Sequence, residues 1–376
     1  MQFFSLKNFF KALLFILVLG GSTYFIVGKI QDRKNIMSFE DYDPPSSLVV
    51  PEHLLTRAKF PFIDVHNHQF DMPVKDLSNL TAEMDSLNMA VMINLSGFRG
   101  LYLEKCLKNV KENAPTRFGL FVNLDWEKID EPDFAENNLF ILREAKMSGA
   151  IGLKVYKGLG LSDTDDKGNR IAVNDPRLDP IWAECGVLGF PVLIHSAEPP
   201  SFWKPKDKNN ERWLELKQKP GRYRDPAKVP SFASIIAEQH DVFRKHRGTT
   251  FINAHLGWMG NDLDRLGEHL DTYPNVMTEI GAVLAELGRQ PRRARKFFED
   301  YQDRVLFGKD SYNVSEYYTY FRVLETNDEY FNYYRKRHAF WKMYGLGLPD
   351  SILKKIYYKN ALRILPSIDA SLFPKE

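Results

Sequence analysis

Cysteine is almost missing from this chain. Its 376 residues hold two, Cys106 and Cys185, far apart and in no CxxC or other ligand spacing. That argues against a disulfide framework or a zinc knuckle and leaves two buried or partly buried thiols as the expectation. Net charge is almost missing too: 51 Lys and Arg face 49 Asp and Glu, a formal balance of +2. No basic excess points to nucleic acid. The phosphate-cradling patterns GxGxxG and GxxxxGK(S/T) are absent, as is the GxSxG of a serine nucleophile elbow. There are no internal repeats and no low-complexity tracts.

One apolar run stands out, at residues 12–27. Lys7 and Lys11 precede it, and only Gly20-Gly21-Ser22-Thr23 breaks it. A basic start, an apolar core and small residues are the layout of a signal peptide. The run falls short of the roughly 20 residues a spanning helix needs. Cleavage near Ser22 and retention as a tilted anchor therefore both stay open. No cysteine follows, which excludes the lipid-modified cysteine of a bacterial lipoprotein. Lys29, Arg33 and Lys34 beyond the run nearly balance Lys7 and Lys11 before it, so the flanking charges do not fix an orientation. The expectation is a signal peptide or membrane anchor at 1–30, with the main domain extracytoplasmic, either secreted or membrane-anchored. Residues 31–59 are polar, with Pro44-Pro45-Ser46-Ser47 and Pro51, and read as a linker or surface arm.

From residue 60 onward short apolar runs alternate with amphipathic stretches. The runs fall at 60–66, 90–95, 118–122, 150–156, 191–195, 250–254, 276–280 and 305–307. Helical patterns lie between them at 101–113, 134–147, 179–188, 232–246, 263–272 and 292–300. Strands alternating with helices imply a parallel sheet. Eight such strands in about 250 residues fit a closed (β/α)8 TIM-like barrel better than an open sheet. Residues 317–344 are strongly aromatic, and 351–365 read as a last helix.

In this fold the chemistry sits at the C-terminal ends of the strands. The first strand ends Asp64-Val65-His66-Asn67-His68, and the two-residue strand period puts His66 and His68 on one face. The fifth ends in His195, the sixth in His255, and the eighth runs into Asp310. Four histidines and one aspartate thus fall at the same relative position of different strands. His53, His240, His246, His269 and His338 fall in the linker or in helices and read as surface or packing residues.

This order resembles the amidohydrolase superfamily, in particular its branch of mononuclear-metal hydrolases and non-oxidative decarboxylases. The resemblance covers about residues 60–365. It rests on His66 and His68, Leu-Ile-His195, Asn-Ala-His255-Leu-Gly-Trp, Asp-Arg-Val-Leu-Phe-Gly-Lys-Asp310, Gly288-Arg289-Gln290-Pro291 and Tyr-Lys-Asn360-Ala-Leu-Arg363. It implies that His66, His68, His195 and Asp310 hold one divalent metal. Zn2+ suits such a donor set, and Mn2+ or Fe2+ would also fit. It implies that His255 bonds to the metal-activated water or the developing oxyanion, while Asp310 carries the proton. Lys154 lies where some relatives carry a carboxylated lysine bridging two metals, but its local sequence looks more like the mononuclear branch. Lys309 stands where relatives have a small polar residue, and it would either alter the basicity of Asp310 or face outward.

Candidate substrate-facing residues are Lys154, Arg99, Glu198, Trp203 and Trp258, with Glu279 orienting a ligand histidine. Together these imply a hydrolase that cleaves an amide, ester or lactone of a small, cyclic or carboxylated substrate. The alternatives are non-oxidative decarboxylation of an aromatic or enoic acid and a catalytically silent, membrane-tethered binding protein. A homodimer is left open.

Overall fold

The computed structural model describes residues 6–34, 36–38 and 40–375. The chain divides into two compact units, Met1–Val49 and Val50–Glu376. In the first, a helix runs over Leu6–Lys34 and passes straight through the four small residues. Thr23 Oγ1 donates to Leu19 O at 2.7 Å, so the hydroxyl stays satisfied inside the helix. Among the described residues no helix is long and apolar enough to cross a membrane. Residues 1–5 of the expected N-terminal segment, with Asn35 and Phe39 of the expected linker, lie outside the described residues.

The second unit is a (β/α)8 barrel. Its strands are β1 (Phe62–Asn67), β2 (Met89–Asn94), β3 (Phe118–Val122), β4 (Gly152–Val155), β5 (Val192–Ile194), β6 (Phe251–Asn253), β7 (Val276–Glu279) and β8 (Val305–Leu306). Each pairs in parallel with the next. β3 and β5 are buried throughout, by helices outside and packed side chains inside, and so read as continuous apolar runs. In the interior the Phe121 ring fills the space where a Cβ on Gly152 would stand, 2.5 Å from the ring. Glycine is required there by that close approach.

Local chemistry sets the helix limits. Asp76 caps Leu77–Leu87, Ser231 caps Phe232–Lys245 and Asp262 caps Leu263–Thr272, each accepting a backbone N–H of the first turn. Asp179–Leu188 ends at Gly189, whose φ of 63° is the left-handed value that stops a helix cheaply only at glycine. Both cysteines are buried free thiols.

Closure needs β1 to meet β8. Val65 N donates to Phe307 O at 3.0 Å and Asp310 N to His66 O at 2.6 Å, with a parallel bridge between Asn67 and Asp310. The buried Asp64 carboxylate reinforces this seam from one side. It accepts the amides of His66 and Lys309 on Oδ1, each at 3.1 Å. Its Oδ2 accepts from Asn67 Nδ2 at 2.9 Å and from the Tyr317 hydroxyl at 2.6 Å. Burial lifts this carboxyl to about 6, against the pull of those four donors.

Aromatic residues back the seam. The Phe62 ring packs at 4.7 Å on Phe307, 5.6 Å on Phe321 and 5.9 Å on Tyr357. The last helix widens to a π turn at Lys355–Lys359, and Phe307 N donates to its Ile356 carbonyl at 3.0 Å. Asn360 Nδ2 then donates to Gln302 O and Val305 O, both 2.8 Å away, so the terminal Asn360 motif is a clasp on β8.

Asp64→Asn leaves two buried donors without an acceptor, and about 2–4 kcal/mol of stability is expected to be lost. Tyr317→Phe should cost less, about 1 kcal/mol. Urea unfolding monitored by far-UV circular dichroism checks both; an Asp64→Asn protein as stable as the parent would show that the seam does not depend on this carboxylate.

Candidate functional site

The C-terminal rim of the barrel is where the backbone is strained. Non-glycine residues in the left-handed region follow five of the strands: Phe98, Ala197, His255 with Leu256 and Trp258, Ala282, and Asp310 at φ 81°. Such conformations persist only where surrounding contacts over-determine them, and they gather at functional sites.

At this rim the four histidines and Asp310 converge. His66 Nε2 lies 3.5 Å and His68 Nε2 3.7 Å from Asp310 Oδ1. One ligand atom each of His66, His255 and Asp310 lies within 4.8 Å of the others. His195 Nδ1 is 3.3 Å from His255 Nε2, and the His195 ring stands 4.4 Å from that of His255. The predicted set is therefore brought together, and His255 is as close to the centre as the residues expected to be ligands.

Each ring is held by its far nitrogen. His66 Nδ1 bonds to Glu279 Oε1 at 2.9 Å, His255 Nδ1 to Gly281 O at 2.7 Å and His68 Nδ1 to Ser96 Oγ at 2.7 Å. A carboxylate or carbonyl partner takes the Nδ1 proton of His66 and His255, which leaves the Nε2 lone pair aimed at the centre. Ser96 is in turn bonded to the Tyr156 hydroxyl at 3.0 Å. Neither Ser96 nor Tyr156 was legible as a site residue in the sequence.

Glu279 does more than orient His66. Its Oε1 also accepts the His255 amide at 2.6 Å, and Oε2 accepts the Gly281 amide. Gly308 makes room for it: a Cβ there would stand 2.3 Å from Glu279 Oε2 and 3.0 Å from the His66 Cβ.

Electrostatics keep the imidazoles neutral. Burial and then the Lys154 ammonium hold His66 far below its ordinary value and His68 at about 4. Burial, then His255 and Lys154, do the same to His195. Lys154 is itself buried, 3.5 Å from His66 Nε2, and burial lowers its amine to about 8. Burial alone would raise Asp310, but the groups around it, the Lys154 cation among them, outweigh it and hold it low, at about 2. Its side chain is 34% exposed at the floor of the cavity, so it is the acid in solvent reach. Neutral imidazoles around an ionised carboxylate are the protonation states a divalent metal requires. His195 turns its Nδ1 to the other rings, 3.3 Å from His255 Nε2, while its buried Nε2 has no hydrogen-bond partner among the described residues. The residues fit the ion.

The outward alternative holds for Lys309. Its side chain points away from the centre, to Ser311 O at 2.6 Å and the Glu316 carboxylate. Over the rim opens a cavity of 270 Å³ reached by His195, His255, Asp310, Trp258 and Glu198. Glu198 Oε1 is paired with Lys157 at 2.6 Å and Arg224 at 2.9 Å. Three expected substrate residues do not line it: Lys154 lies buried beside His66, and Arg99 and Trp203 turn elsewhere. Arg99 pairs with Asp125 at 2.5 Å and lines a separate cavity with Phe134 and Asn138. Trp203 donates its indole N–H to Pro230 O at 2.8 Å and packs on Phe232, a structural use of a ring that a linear sequence does not distinguish from a substrate contact.

A family model described as Amidohydrolase matches residues 109–366. No curated protein matches the chain. Among solved structures, a 2,6-dihydroxybenzoate decarboxylase from Rhizobium is 13% identical, with 82% of this chain and 99% of that one covered and a TM-score of 0.53. A dihydroxybenzoic acid decarboxylase from Polaromonas sp. JS666, with bound manganese and the inhibitor 2-nitroresorcinol, is 13% identical over 83% and 99%, with a TM-score of 0.51. A putative amidohydrolase from Staphylococcus aureus is 15% identical over 81% and 99%, with a TM-score of 0.50.

Glu279→Gln puts an N–H against either the His66 Nδ1–H or a backbone amide. Metal affinity is expected to fall about 10–100-fold. Competition with a chromogenic chelator measures it, and an unchanged affinity would remove Glu279 from the orienting role.

Proposed function

Since the chain belongs to the amidohydrolase family, and so is an enzyme of the hydrolase or decarboxylase type, we propose that it is a metal-dependent hydrolase of small carboxylated substrates. The observation that carries this is the convergence of His66, His68, His195 and His255 on one solvent-reachable carboxylate, Asp310, beneath a basic cavity. His66, His68, His195 and Asp310 would hold a single divalent ion, with Zn2+ first and Mn2+ or Fe2+ next in suitability. When bound, such an ion supplies Lewis acidity at a substrate oxygen and makes water acidic enough to ionise near neutral pH.

The chain's own residues do the rest. Asp310 is ionised at every physiological pH and can accept a proton from the nucleophile and return it to the leaving group. His255, held by Gly281 O and packed at 4.6 Å on Trp258, presents its Nε2 lone pair to a proton and, once protonated, can bond to developing negative charge. Lys154 adds positive charge on the Nε2 side of His66, beside the centre. A single metal is preferred, because Lys154 already packs its amine over the Tyr156 ring at 5.5 Å and against His66.

Non-oxidative decarboxylation is the second reading. The arginines of the cavity support it as much as hydrolysis, since they would draw in an acid whether a carbonyl is attacked or CO2 leaves. The silent-binding-protein reading is weaker, since no ligand position is replaced. The proposal includes export through the N-terminal segment, and fractionation of cells expressing the full chain would test it: recovery wholly in the cytosol would sink that part.

Elemental analysis of the purified protein should give close to one equivalent of zinc or manganese, lost in His66→Ala. Asp310→Asn should keep part of the metal while activity falls at least about 100-fold. Assays of lactones and amides beside CO2 release from aromatic acids separate the two chemistries. Two equivalents of metal would promote Lys154 to a bridging ligand, and a fully active Asp310→Asn enzyme would end its role as proton carrier.

A further inference from the structure

The cavity above the proposed centre is built mostly by two excursions from the barrel. One follows β5 and carries the helix Trp213–Gln218; the other follows β8 and carries the two-stranded hairpin of Phe331–Asn332 and Lys342–Met343. Between those short strands, residues 333–341 cross the cavity, and their side chains divide the work. His338 and Trp341 anchor the segment. His338 Nε2 meets Glu215 Oε2 at 3.1 Å, and the Trp341 ring lies under the guanidinium of Arg289 at 3.6 Å and that of Arg212 at 5.3 Å. Arg335 and Arg337 instead line the cavity.

Charge in this cavity is not balanced. The cations lining it are Lys157, Arg212, Arg222, Arg335 and Arg337, and the lining carboxylates are Glu198, Glu215 and Asp310. Glu198 is taken by Lys157 and Arg224. Glu215 is taken by Arg212 at 2.8 Å, His338 at 3.1 Å and Arg222. Arg337 is therefore a surplus fourth partner, its Nε 3.8 Å from Glu215 Oε1, and that buried Nε has no hydrogen-bond partner among the described residues. Arg335 donates to Ser311 Oγ at 3.3 Å, while Glu316 beyond it is held by Lys309. Apart from Asp310 at the proposed centre, two guanidinium groups on a pinned segment thus face a cavity whose acids, among the described residues, are already paired with other cations. A buried or half-buried cation in that position is costly unless a ligand completes it.

We propose that Arg335 and Arg337 form a second oxyanion subsite, which takes the far carboxylate or phosphate of a substrate whose other end lies at the Asp310–His255 centre. The substrate class is then a small dianion, with one anionic group for the barrel rim and one for the hairpin. A planar guanidinium donates two parallel N–H groups and suits either oxyanion. Lys157 and Arg222, whose charge is already shared with Glu198 and Glu215, steer the ligand without holding it. The inference rests on the reading of this cavity as the active site, but it is tested by binding alone.

Isothermal titration of the metal-loaded full-length protein with succinate, adipate and terephthalate, each against its matched monoacid, measures the contribution of the second anion. 3-Phosphonopropionate against succinate tells phosphate from carboxylate. The dianions should bind at least about tenfold more tightly than the monoacids, and Arg335→Gln or Arg337→Gln should remove most of that advantage. Monoacid affinity, metal content and thermal midpoint should stay as in the parent. Arg337→Lys, which keeps the charge and loses the fork, should retain a part, and it serves as the folded control if either glutamine variant is unstable.

Dianions binding no more tightly than monoacids in every pair, or an advantage that survives in the double variant, would overturn the subsite and leave the metal centre standing. Loss of metal binding with the dianion advantage intact would do the reverse.

Discussion

One buried carboxylate organises the mouth of this barrel. Glu279, at the end of β7, accepts the Nδ1 proton of His66 from β1, the His255 amide beyond β6 and the Gly281 amide of its own loop. Those bonds fix a ring orientation, a left-handed turn and a loop at once. They also bring together strand ends that are neighbours only because the sheet has closed. The approach is possible because position 308, on the far side of the β1–β8 seam, has no Cβ. Asp64 secures the same seam from below with four donors, so closure of the sheet and assembly of the site are a single structural event.

Around that frame the field is graded. Near the centre, burial and Lys154 keep His66, His68 and His195 unprotonated, and the Lys154 charge favours an ionised Asp310. Pushing titratable groups apart in this way sets out the roles of ligand, acid and base. Farther out, arginines on the two excursions make the cavity basic although the chain as a whole is almost neutral. A net charge of +2 describes the chain as a whole and says nothing about a local field of this kind.

The two excursions carry most of the charged groups that line the cavity. They are long and aromatic, and each is rigidly tied to the other through Glu215, His338, Arg212 and Trp341. His338 had the features of a packing residue in the sequence, and packing is what it does, but the segment it packs carries Arg335 and Arg337 into the cavity. The relatives of known structure share the barrel at 13–15% identity, a level at which the fold persists and the details of a binding cavity do not transfer.

The barrel and the centre of its site were legible in the linear chain because both follow from short-range periodicity. Strand runs recur at a regular interval, side chains alternate along a strand, and chemistry collects at one end. That logic found His66, His68, His195, His255 and Asp310, and it found Glu279 as an orienting group. Only the tertiary structure could decide how the rest are used. Ser96 and Tyr156 brace His68 from two other strands, Gly308 must lack a side chain because Glu279 crowds it, and Arg99 and Trp203 turn away to Asp125 and Pro230. These are contacts between segments distant in sequence, set by how the loops pack on the finished barrel, and no periodicity within any one segment encodes them.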